Sequence, residues 1–120
     1  MLDVINRFVF GRDRVRWLLP KIGAVLKQHF GASGNYTAGQ VKRALTETNA
    51  AIDLHPLIYA TACIEEEFLK AQPDLNAEDY KTLRAETLKI LDLPHSNLSM
   101  RLFMQRHSAE IGNSGEGGAV

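Results

Sequence analysis

Apolar residues along this chain recur at intervals of three and four, and no stretch of β-branched residues alternates with polar ones. That spacing belongs to helices burying one stripe, not to strands. The first stretch sets Leu2, Ile5 and Val9 on one line with Phe8 beside it, until Gly11 interrupts. Asp13 is then placed to cap a helix reaching about Phe30, with Val15, Leu18, Ile22, Val25, Leu26 and Phe30 inward. Pro20 lies within that pattern and predicts a kink or a restart, because proline lacks the donor and crowds the preceding turn. Gly31 is suited to end the helix.

Thr37-Ala38-Gly39-Gln40 has the spacing of a capping box, in which the Thr37 hydroxyl and the Gln40 side chain each satisfy the other's backbone N–H. Tyr36, one residue earlier, is placed to staple onto Val41. The helix predicted from here ends near Thr48, with Val41, Ala44 and Leu45 inward. The next helix opens at Pro56, a residue suited to the first helical position. Leu57, Ala60, Ile64 and Phe68 form its face, and Ile58, Ala62 and Leu69 widen it. Such breadth predicts the central helix of the domain, bounded by Pro73. Asn76 and Asp79 form a second reciprocal box, opening a helix from Ala77 to about Asp92. Its inner face is Tyr80, Leu83, Thr87, Leu88 and Leu91. Pro94 stops it. Ser96 or Asn97 caps a last helix to about Glu110. From Gly112 the glycine-rich polar tail carries too little apolar surface to order. The expectation is therefore one all-α domain over residues 1–111, of five or six helices, followed by a disordered tail over 112–120.

Composition agrees with a single domain: 120 residues, 45% hydrophobic and 23% charged. No apolar run approaches the roughly 20 residues of a membrane span. Asp3 and Arg7 leave no long apolar segment for a signal peptide. The one cysteine, Cys63, has no internal disulfide partner, and a cytoplasmic location is expected. Charge changes the picture more. The net charge is zero, but residues 1–46 carry eight Lys/Arg against two acids, and residues 47–120 carry six against twelve. Halves of about +6 and −6 either attract one another or leave a basic surface for an anionic membrane or nucleic acid.

Candidate chemistry is sparse. The stretch from Thr37 resembles the first half of a helix-turn-helix. The would-be recognition helix from Pro56, however, is apolar and then acidic at Glu65, Glu66 and Glu67, where base edges and phosphates would demand Arg, Lys, Asn or Gln. Nucleic acid is thus a disfavoured partner. His29, His55, His95 and His107 have no metal-ligand spacing, and no metal or other cofactor is expected. Cys63, on an apolar helix, reads as a core residue. Phosphate loops, ordered Ser/His/Asp sets and paired carboxylates in apolar surroundings do not occur, so nothing supports an enzyme. The acids Glu65–Glu67 would fall in the second half of the central helix, opposing its dipole. Arg84 has the reach to bridge back to them. The residues singled out for interaction are Tyr36, Gln40, Lys42, Arg43, Glu65, Glu66 and Arg84. Leu2, Ile5, Phe8 and Val9 form a candidate membrane or dimer face. The partner expected is another protein or a second copy of the chain, with a membrane surface as the alternative.

Several short elements in order, Phe30-Gly31, Tyr36-Thr37-Ala38-Gly39-Gln40-Val41, Tyr59-Ala60 and Tyr80…Arg84-Ala85-Glu86, resemble a family of small uncharacterised bacterial proteins. The resemblance covers about residues 13–90. It implies a small, helical, bacterial protein and carries no activity.

Overall fold

The computed structural model describes residues 11–93 and 98–100. The helix expected over residues 2–10, the last helix toward Glu110 and the tail over 112–120 lie outside the described residues. Within them, five α-helices and one short 3-10 turn account for the regular structure: α1 Arg12–Phe30, α2 Ala38–Thr48, the turn Ile52–Leu54, α3 His55–Ala62, α4 Glu65–Ala71 and α5 Ala77–Leu91. The chain is a single all-α domain, as its periodicity predicts.

Helix α1 buries Val15, Leu18, Leu19, Ile22 and Leu26. Gly11, not Asp13, occupies its N-cap, and Asp13 sits in the first turn, where its charge complements the helix dipole. The helix does not restart at Pro20 but runs through it from Arg12 to Phe30. Leu19 and Ile22, on either side of the proline, are both fully buried. Burial of this face outweighs a local penalty of about 3 kcal/mol. Gly31 ends the helix at φ 84°, a backbone conformation that favours glycine, and its N–H donates to the Lys27 carbonyl.

Both capping boxes form. Gln40 N–H donates to Thr37 Oγ1 at 3.2 Å and Thr37 N–H to Gln40 Oε1 at 3.0 Å. Asp79 N–H donates to Asn76 Oδ1 at 2.9 Å and Asn76 N–H to Asp79 Oδ2 at 3.0 Å. Helices α2 and α5 end on Asn49 and Asp92, both left-handed. Ile90 joins Leu83 and Thr87 as a buried residue of α5, while Tyr80, Leu88 and Leu91 are half-buried.

The predicted central helix is two helices. It breaks at Cys63 and Ile64, and Ile64, expected in the core, is 47% exposed. The break moves Glu65, Glu66 and Glu67 from the end of one helix to the first turn of the next, where they complement the dipole instead of opposing it. Helix α3 keeps the central position: Leu57, Ile58, Tyr59, Ala60, Thr61 and Ala62 are all buried. Thr61 and Thr87 meet at its crossing with α5, their hydroxyls 3.0 Å apart, each also bonded to the carbonyl four residues back. A fully satisfied polar pair inside an apolar core fixes the register of the two helices. In the last turn of α5, Arg16 Nε donates to the Ile90 carbonyl at 2.9 Å and Arg12 reaches the Lys89 carbonyl at 3.4 Å. Beyond α5, Leu98 and Met100 are buried, and the Met100 N–H donates to the Gly34 carbonyl.

Candidate functional site

Neither proline nor glycine lies between Tyr59 and Phe68, so the break after α3 needs another cause. The carbonyls that would continue the helix are taken by donors from elsewhere. Arg84 Nη1 donates to the Ala60 carbonyl at 2.9 Å, the Tyr36 backbone N–H to the Ala62 carbonyl at 2.8 Å, and the Tyr80 hydroxyl to the Cys63 carbonyl at 2.9 Å. Arg84 Nη2 also donates to the Leu98 carbonyl at 2.8 Å, and the guanidinium lies 5.5 Å from the centre of the Tyr80 ring. The Tyr36 hydroxyl donates to the Gly31 carbonyl. Helix-end carbonyls are thereby satisfied by three segments at once. Of the residues singled out for interaction, Tyr36 and Arg84 meet here, together with Ala60 and Tyr80 of the short motifs. Arg84 does not bridge to the acid run, as its reach had suggested; the two backbone carbonyls hold it.

The break also places Glu67. Its Oε1 accepts the Ala38 N–H at the start of α2, and its Oε2 accepts Lys70 Nζ. The Ala38 amide first, and Lys70 after it, hold the Glu67 carboxyl below its ordinary range. Lys70 is raised by the same pairing. Cys63 is buried in this region, and burial, helped by Glu67, pushes its thiol up to about 12. A neutral buried thiol is no nucleophile.

Two surface features lie outside this centre. One is a cleft of about 430 Å³ lined by Ala38, Gly39, Lys42, His55, Tyr59, Lys70, Ala71 and Gln72. The other is a groove of about 180 Å³ lined by Arg14, Trp17, Leu18, Thr48, Asn49, Ala50, Ala51 and Leu54. Trp17 is 66% exposed and Ile52, adjoining the groove in sequence, is 80% exposed. Lys21 Nζ rests 3.6 Å from the centre of the Trp17 ring. Arg14 forks onto Asp53 at 3.1 and 2.9 Å, tying α1 to the 3-10 turn at the groove's rim.

The remaining predicted residues separate. Gln40 is spent on its capping box, and Arg43 pairs with Glu47, which also accepts from His29. Lys42 lines the cleft and makes no ion pair among the described residues. Glu65 and Glu66 are exposed and make no ion pair there either. Leu2, Ile5, Phe8 and Val9 lie outside the described residues. Sequence reasoning missed Trp17, Ile52, Tyr59 and Lys70. Trp17 carried a readable signal, since it falls off the buried stripe of its helix. Tyr59 and Lys70 carried none, because the helix break alone sets them around one cleft.

Among the described residues no group of His, Cys, Asp and Glu is set to hold a metal ion, and no helix is long and apolar enough to cross a membrane. The fold is that of a small helical domain stitched together by side-chain caps. The chain belongs to a family of unknown function, DUF6559, whose model matches residues 5–119. Comparisons with curated proteins and with solved structures give no match.

Proposed function

We propose that the chain is a non-enzymatic helical interaction module that self-associates through the face carrying Trp17 and Ile52. The observation that carries this reading is the exposure of both side chains beside an apolar groove between α1 and the segment after α2. Tryptophan supplies much of the binding energy where it is buried between partners, and leaving it in water wastes that area. A second copy is the favoured occupant for two reasons. Residues 1–10, which precede α1 in sequence, carry the apolar Leu2, Ile5, Phe8 and Val9, a second stripe suited to a seam between copies. The formal net charge is zero, so copies meet without long-range repulsion. A bacterial and cytoplasmic setting belongs to the same proposal, and the free buried thiol of Cys63 suits a reducing compartment.

The competing reading, a peripheral binder of anionic membrane or nucleic acid through the basic N-terminal half, finds several of its basic side chains engaged within the fold. Arg12 and Arg16 serve carbonyls of α5, Arg14 serves Asp53 and Arg43 serves Glu47. Light scattering across a concentration series tests the proposal. A dimer or higher mass is expected, falling to the monomer in Trp17→Ala and Ile52→Asp while helicity is retained. Deleting residues 1–10 is expected to lower the mass or the melting temperature. A monomer at all concentrations that sediments with anionic vesicles in a salt-sensitive manner overturns it.

A further inference from the structure

We propose that the cleft between the start of α2 and the facing residues of α3 and α4 binds a small phosphorylated ligand through its phosphoryl group. Three observations meet there. The first is an unused donor. Tyr59 is only 7% exposed, it lines the cleft, and its hydroxyl has no hydrogen-bond partner among the described residues. The other two tyrosines both donate to carbonyls, Tyr36 to Gly31 and Tyr80 to Cys63. Among the described residues no fully buried side-chain polar atom is left unpaired. The Tyr59 hydroxyl is therefore reached by solvent, on a residue that lines the cleft.

The second observation is the first turn of α2. The Ala38 amide is taken by Glu67 and the Gln40 amide by Thr37, while the Gly39 amide has no acceptor among the described residues. A Cβ built on Gly39 would meet nothing within 4 Å, and its φ is not positive. Neither crowding nor backbone conformation demands glycine there. What the missing side chain does leave is open access to helix-start N–H groups, the arrangement that anions use.

The third is charge. Lys42 makes no ion pair among the described residues, while Lys70 spends one of its three N–H donors on Glu67, which offsets its charge, and keeps two donors for a ligand. Two ammonium groups, a phenol and a backbone N–H suit the several oxygens and double charge of a phosphoryl group better than a planar carboxylate, which favours the arginine fork. His55 and Gln72 complete the wall; His55 Nε2 lies 3.1 Å from the Ala50 carbonyl, which orients the ring. The volume, about 430 Å³, leaves room for a small molecule attached to the phosphate.

The test is a titration of the full-length, ¹⁵N-labelled protein with inorganic phosphate, set against sodium chloride and sodium acetate at matched ionic strength. Saturable shifts of the Gly39 and Ala38 amides are expected with phosphate, and neither control should reproduce them. Lys42→Gln is expected to weaken binding about tenfold, as for one charge-assisted hydrogen bond, and Tyr59→Phe about threefold, as for a neutral one. Gly39→Ala should weaken binding while the melting temperature is kept or raised, which separates the site from the fold. Shifts that do not saturate, that acetate matches, or that survive unchanged in Lys42→Gln and Tyr59→Phe overturn the proposal.

Discussion

Replacing Arg84 by methionine isolates what holds the α3–α4 break. The substitution keeps an unbranched apolar stem and removes both donors. Two carbonyls, those of Ala60 and Leu98, lose partners at 2.9 and 2.8 Å, and the stacking on Tyr80 is lost. A hydrogen bond with a charged donor contributes about 1.5–3 kcal/mol. Arg84 is half-buried, so water partly replaces the donors, and a total loss of about 2–4 kcal/mol is expected. For a chain of this length that lowers the melting temperature by roughly 8–16 °C. Circular dichroism at 222 nm during heating and urea titration reads both quantities. Arg84→Lys, whose single ammonium cannot span both carbonyls, should lose about half as much. The reasoning fails if Arg84→Met remains within about 0.5 kcal/mol of the wild type, the range of an ordinary surface substitution.

Thr61→Val and Thr87→Val should each cost about 1 kcal/mol in urea unfolding, and the double variant less than their sum, because either hydroxyl alone already loses the 3.0 Å contact. Cys63 should react with a thiol reagent only at the rate of unfolding, since burial pushes it up to about 12; stoichiometric labelling of the native protein within seconds would contradict its placement. Glu67 titrates below its ordinary range in the folded state, so its contribution to stability is complete above the unfolded value, about 4.3, and drains away as pH falls through the folded one. Urea midpoints measured from neutral pH to about pH 3 should therefore fall less steeply in Glu67→Gln than in the wild type. Thr37→Ala should lower stability by about 0.5–2 kcal/mol, read in the same urea titration, and leave the oligomeric mass unchanged.

Local rules made the caps legible. Thr37 with Gln40 and Asn76 with Asp79 interact across three residues, and Gly31 ends a helix by its own backbone freedom, so each is written in one short stretch. The break at Cys63 was not legible because its causes lie elsewhere: Tyr36, Tyr80 and Arg84 come from up to 26 residues before and 24 after the carbonyls they serve. Three misreadings follow from that one point: the exposure of Ile64, the polarity of the acid run and the partner of Arg84. At Pro20 the opposite happened: the local signal for a restart was overridden by the buried face of α1. The cleft was invisible as a site because its donors, Gly39, Lys42, Tyr59 and Lys70, belong to three helices whose mutual placement depends on the break.

The arginines at the start of α1 also govern how the domain opens. Arg16 and Arg12 join residues 74 and 77 positions away, at the last carbonyls of α5. The described helices thus close into a ring, with the first turn clasped to the last. A helix end in solution frays, but the end of α5 has its carbonyls held from across the whole domain. Peeling α5 away requires releasing α1, and α1 carries much of the core. Amides in the final turns of α5 should therefore exchange with solvent as slowly as those at the centre of α1, in one cooperative opening rather than from the edge inward.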